Sequence, residues 1–196
     1  MKRPEKPSPL ELDALAETGN IGMGHAAVAL SSMMKMEVVL EVPNLRILDP
    51  RLIAPPVVPE QAVGLSMEIF GGVCGSLLIL LPHRYALQIL GKGGGAASFV
   101  DADVVPLVEG GREVAAAYLH AVGMLLNLPL SPSEPVFECA AADAIAEAAL
   151  ARALAIDPPL IIQTVFTVPD LPGEGRILLI PGAAGVEAIL GALGTR

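Results

Sequence analysis

The sequence predicts an α+β, sandwich-like fold. Two helix-strand-hairpin-helix units, related by a pseudo-two-fold, share one mainly antiparallel sheet with long helices packed on it. Three observations predict this. The phrase Gly75-Ser76-Leu77-Leu78-Ile79-Leu80-Leu81-Pro82 returns as Gly175-Arg176-Ile177-Leu178-Leu179-Ile180-Pro181, as an internal duplication would leave it. Each copy lies in a hairpin-like pair of apolar runs that follows a long stretch of helical apolar spacing. Of the 196 residues, 53% are hydrophobic and 17% charged, which gives a core to bury and sets the chain apart from disordered sequence. Residues 1–196 are therefore read as a single domain, with repeat one over about 8–91 and repeat two over about 101–194.

The first helix opens at Ser8, where Ser8-Pro9-Leu10-Glu11 has the form of a capping box with Pro at the first helical position. Leu12, Leu15, Ile21, Ala26, Leu30 and Met34 carry its apolar stripe to an end near Lys35. Residues 36–42 alternate and are β-branched, a strand stopped by Pro43. A proline-rich connector to about Pro59 precedes a hairpin, 62–70 and 73–81, turned at Gly71-Gly72, and Pro82 opens a short helix ending near Gly91. A glycine-rich linker over 91–97 leads to the second long helix, from Asp101 to about Leu126. After a proline-broken stretch over 129–135, an Ala-rich helix over about 140–155 leads to a second hairpin, 160–168 and 176–180, and Pro181 opens the last helix.

Several function classes are disfavoured at once. The longest uncharged stretch, 114–133, contains His120, Asn127, Pro129 and Pro132, so no membrane span is expected, and without an apolar signal region the chain reads as cytoplasmic. A net charge of −9 opposes binding to a nucleic-acid backbone. Cys74 and Cys139 belong to no metal or redox motif and read as reduced core thiols. His25, His83 and His120 lack ligand-spaced partners, so no metal site is expected, and His25 reads as packed against the sheet. Gly91-Lys92-Gly93-Gly94-Gly95 lacks the order of a phosphate-binding loop.

Asp13, Glu17 and Asn20 are spaced four and three apart, so they line one face of the first helix. Gly19, Gly22 and Gly24 each cost that helix up to about 1 kcal/mol relative to Ala. Spacing alone fits a solvated polar face whose glycines admit a neighbouring helix. The sharper alternative is a docking face whose tip carries a carboxylate and an amide. A carboxamide donates and accepts at once, which suits it to hold a water in line with a phosphoryl group.

Residues 11–27 and the spacing Asp13, Glu17, Asn20 and Pro43, the last 23 positions after the Asn, closely resemble the signature of the CheC/CheX/FliY family of chemotaxis phosphatases. The resemblance extends over roughly 10–193 and is strongest to the CheC branch. It implies hydrolysis of the aspartyl-phosphate of a CheY-type response regulator, with Asn20 orienting the attacking water, Glu17 engaging the regulator's lysine, and Asp13 and Pro43 in support. It implies no cofactor bound by this chain, with Mg²⁺ held by the regulator, and the receptor deamidase CheD as a further partner. The alternative it leaves open is a non-catalytic adaptor for a receiver domain, CheD or a flagellar switch protein. FliY-type proteins add a switch domain, and the sequence ending at Arg196 makes a flagellar structural role the lesser expectation.

Repeat two keeps the spacing but changes the chemistry. Glu109, Arg112 and Pro135 stand where Glu17, Asn20 and Pro43 stand in repeat one, with Val105 in place of Asp13. Arginine has donors and no acceptor, so it cannot hold a water as an amide does. This second site is expected to be degenerate, with Arg112 paired to Glu109 or offering only charge to a phosphate.

Overall fold

Two helices of 26 residues each set the frame: α1 (Pro9–Met34) and α3 (Asp101–Leu126). The computed structural model describes residues 8–41, 44–47, 61–92, 99–153 and 160–194. Around the helices run β1 (Val39–Leu40), β2 (Asn44–Ile47), β3 (Gln61–Gly71), β4 (Gly75–Pro82), α2 (His83–Ile89), β5 (Leu130–Pro132), β6 (Val136–Ala141), α4 (Ala142–Ala153), β7 (Leu160–Val168), β8 (Leu171–Pro181) and α5 (Ala183–Ala192). The capping box forms as expected: Ser8 Oγ accepts from the Glu11 N–H at 3.3 Å and the Ser8 N–H donates to Glu11 Oε2 at 2.7 Å. Both long helices close on a left-handed residue, Lys35 (φ 53°) and Asn127 (φ 52°), at matching places in the two halves.

The described strands form one antiparallel sheet in the order β1-β7-β8-β4-β3-β5, with β2 also on β7 and β6 also on β3. The two copies of the repeated phrase meet at its centre, where Leu78 stands opposite Leu178. The strands after α1 pair with the hairpin of the second half, and those after α3 with the hairpin of the first. This exchange is consistent with the duplication read from the sequence.

Strand alternation sorts the core onto two faces. Val63, Leu65, Met67, Leu77, Ile79 and Leu81 pack with α1 and α3, while Ala62, Leu78 and Leu80 pack with Ile145, Ala146, Ala149 and Leu150 of α4. Burial on both faces explains why β4 is a continuous apolar run rather than an alternating one. Gly64 lets α4 approach, because a Cβ there would collide with Ile145. Tyr85 of α2 ties the halves together: its hydroxyl donates to the Gly173 carbonyl at 2.6 Å and accepts from the Val168 N–H at 3.2 Å.

Several sequence expectations change. Among the described residues the strand expected over 36–42 is confined to Val39–Leu40, Val42 lying outside them, and part of the connector after Pro43 is strand β2. The proline-broken stretch holds β5, and residues 136–141 form β6, so the Ala-rich helix starts at Ala142. These short segments acquire their conformation by pairing with β7 and β3, and Pro132 is tolerated in so short an outer strand. Cys74 and Cys139 are unbridged but exposed, not in the core, because one lies in the β3–β4 turn and the other on β6. Of the glycine-rich linker, residues 93–98 lie outside the described residues, as does Pro43.

A part-buried ion pair fixes the start of α3. Lys92 Nζ lies 2.6 Å from Asp103 Oδ2, which also accepts from the Val100 N–H at 2.8 Å. The Lys92 ammonium, with the Val100 N–H, holds this carboxyl below the usual aspartate range. A depressed folded-state value contributes stability above the unfolded value and loses it as pH falls through the folded one. Asp103→Asn is therefore expected to lower the Tm at pH 7, and the gap to wild type should close in thermal melts carried to acid pH.

Packing of the long helices gives a second expectation. A Cβ at Gly22 would stand 2.7 Å from the ring of buried Tyr118, whereas one at Gly24 meets nothing within 4 Å. Gly22→Ala should destabilise by about 1–3 kcal/mol through overpacking. Gly24→Ala should stabilise by up to about 1 kcal/mol through helix propensity. Urea unfolding of the two variants reads both signs.

Candidate functional site on the outer face of the helix pair

Helix α1 turns Leu15, Thr18, Gly19, Gly22, Met23, Ala26, Leu30 and Met34 inward, which leaves Asp13, Glu17, Asn20, Gly24 and Val28 on its exposed side. Thr18 supports the inward side by donating its hydroxyl to the Ala14 carbonyl at 3.0 Å. On the exposed side Asn20 Nδ2 donates to Glu17 Oε2 at 3.2 Å. A carboxylate only accepts, so this bond assigns the amide nitrogen to the Glu17 side and leaves the carbonyl oxygen free to accept. The remaining N–H and that oxygen are what a bound water needs. Asp13 lies one turn before Glu17 on the same face, exposed.

Repeat two places Val105, Glu109 and Arg112 on the exposed side of α3 in the same relation. The local pair expected between Arg112 and Glu109 is not formed: among the described residues Arg112 has no ion pair. Pro135 lies between β5 and β6, where its missing N–H interrupts no ladder. His25 is exposed rather than packed on the sheet, since its position falls outside the buried stripe of α1. His83 instead stacks on Phe99, ring centroids 4.8 Å apart. No group of three or more His, Cys, Asp or Glu among the described residues could hold a metal ion.

The helices run antiparallel, because Cβ atoms at Gly22 and Gly110 would meet Tyr118 and Met33 respectively. Five residues back from Gly22 is Glu17, and six forward from Tyr118 is Met124, so these two stand level to within a residue's rise of about 1.5 Å. Arg112, six residues before Tyr118, stands level with the turn around Val28, roughly 12 Å along the axis from Asn20. The two sites are thus separate ends of one helix pair. Sequence reading did not single out Met124, since its place beside Glu17 depends on the register between helices.

Residues 10–47 match the model of the CheC-like family. Over 136 residues the chain is 31% identical to the CheY-P phosphatase CheC of Bacillus subtilis (strain 168), covering 64% of each. The chain is thus similar to CheC-like proteins over these residues. It is also 33% identical over 94 residues to the flagellar motor switch phosphatase FliY of the same organism, covering 45% of this chain and 25% of that one. The chain thus matches less than two thirds of the length of either curated relative. Its fold superposes on Thermotoga maritima FliY with a TM-score of 0.71 at 16% identity, covering 97% of this chain and 99% of that one. None of its described helices is long and apolar enough to cross a membrane.

Proposed function

We propose that this chain is a phosphatase acting on the aspartyl-phosphate of a CheY-type receiver domain, with Glu17 and Asn20 as the working pair. The observation that carries the reading is the exposed Asn20–Glu17 hydrogen bond, which presets the amide with its oxygen free. Asn20 accepts a hydrogen bond from a water and holds it in line with the phosphorus. The water oxygen bonds to phosphorus as the bond to the aspartyl oxygen breaks, which regenerates the carboxylate and releases inorganic phosphate with the water's protons. Positioning supplies the rate where the transition state is loose and needs little base assistance. Glu17 offers a carboxylate to a lysine of the receiver, and Mg²⁺ belongs to the receiver's own acidic pocket. The match to a relative named CheY-P phosphatase supports the substrate class.

Arg112, without a carboxylate partner among the described residues, favours a second reading of its own end: a cationic contact that binds without promoting attack. CheD remains a candidate second partner on the family resemblance. The test is loss of phosphate from a phosphorylated CheY-type receiver with Mg²⁺. Wild type should accelerate it, Asn20→Ala should lose on the order of a hundredfold, Glu17→Ala should lose rate mainly through weaker binding, and Arg112→Asn should equal or exceed wild type. Receiver binding without faster dephosphorylation would sink the enzyme reading and leave the adaptor.

A further inference from the structure

We infer that a receiver docked at Glu17 and Asn20 also covers α3, with Met124 as the apolar anchor of that contact; the inference rests on the receiver reading above. Met124 is 68% exposed on a helix that otherwise buries Leu107, Val114, Leu119, Val122 and Leu126. It lies fourteen residues beyond Gly110, close to four full turns, and therefore on the flank of α3 that meets α1. The register set by Gly22 and Tyr118 brings it level with Glu17. Nothing in the fold requires a large apolar side chain there, and the equivalent position in the other half is the hydroxyl residue Ser32.

The footprint explains why one helix cannot serve alone. A stable interface covers on the order of 800 Å² per partner, far more than a single exposed stripe of α1 presents. Extending that footprint from Glu17 across the adjoining helix reaches the level of Met124, and along α1 it reaches Gly24, whose bare backbone face is open. The polar end of the contact is set by Asp13 and Glu17, which suit a cationic partner group. Met124 supplies the desolvated apolar part that such contacts place beside their charges. Met124 is a positioning residue here and touches no reacting atom.

The experiment compares Met124→Ala with Val105→Ala. Val105 is 57% exposed on α3 but roughly 27 Å along the axis from the level of Glu17. Affinity is read by titrating the full chain with a beryllofluoride-activated, Mg²⁺-loaded CheY-type receiver, and KM and kcat by phosphate release. Met124→Ala should raise Kd and KM roughly fivefold or more with kcat within about twofold, Met124→Leu should restore both, and Val105→Ala should match wild type. Wild-type affinity in Met124→Ala, or an equal loss in Val105→Ala, overturns the α3 contact while leaving the receiver reading in place. No binding of the receiver by wild type overturns both.

Discussion

The antiparallel join of β4 to β8 is the contact on which the rest of the structure depends. Each hairpin taken alone would present a buried strand edge, and an unpaired buried backbone group costs about 1–3 kcal/mol. The two copies of one phrase satisfy each other, with Leu78 facing Leu178, so every strand between β7 and β3 is paired on both sides. Because the join is antiparallel, the strands leaving α1 reach the second hairpin and those leaving α3 reach the first. The same geometry lays α1 and α3 side by side in opposite directions on one face. The positions of Glu17, Asn20, Glu109 and Arg112 relative to one another follow from that join.

What could be read from the sequence was what short-range physics decides. The Ser8–Glu11 box, the burial of Leu15, Ala26, Leu30 and Met34 on the inward side of α1 and the full span of α3 are properties of neighbouring residues, and they stand in the structure as expected, whereas Leu12 and Ile21 are only half-buried. The Glu17–Asn20 pair belongs to the same class, because residues three apart on a helix meet whatever surrounds them. Strands β2, β5 and β6 were not legible: their residues are weak or interrupted strand formers that adopt the extended form by pairing with β7 and β3. Cys139 followed the same error, since β6 places it outside the core. Met124 beside Glu17 needs an inter-helix register that no spacing within α3 encodes.

The glycines of α1 separate two demands that look alike in sequence. Gly22 answers to the fold, because the ring of Tyr118 fills the space a side chain would take. Gly24 answers to nothing within the described chain, and its helix-propensity cost of about 1 kcal/mol is offset by the buried stripe on the other side of α1. A position that weakens its helix and gains no contact in return is where local and global preferences disagree. Such disagreements collect at functional surfaces, and this one sits a turn from Asn20.

The two ends of the helix pair share a scaffold and differ in charge and in one acceptor. The first end presents Asp13, Glu17 and a neutral amide, and the second presents Val105, Glu109 and Arg112. The ends lie roughly 12 Å apart along the axis, beyond the Debye length of about 8 Å at physiological salt. Each exposed end is therefore sensed largely by itself: an approaching cation is drawn to the first and gains little at the second, where the charges cancel. A guanidinium, moreover, has no lone pair to orient a water's hydrogen, so Arg112 cannot take the role proposed for Asn20. The two ends thus differ in charge and hydrogen-bonding capacity without any difference being imposed on the packing, because all of these side chains lie on the exposed sides of their helices.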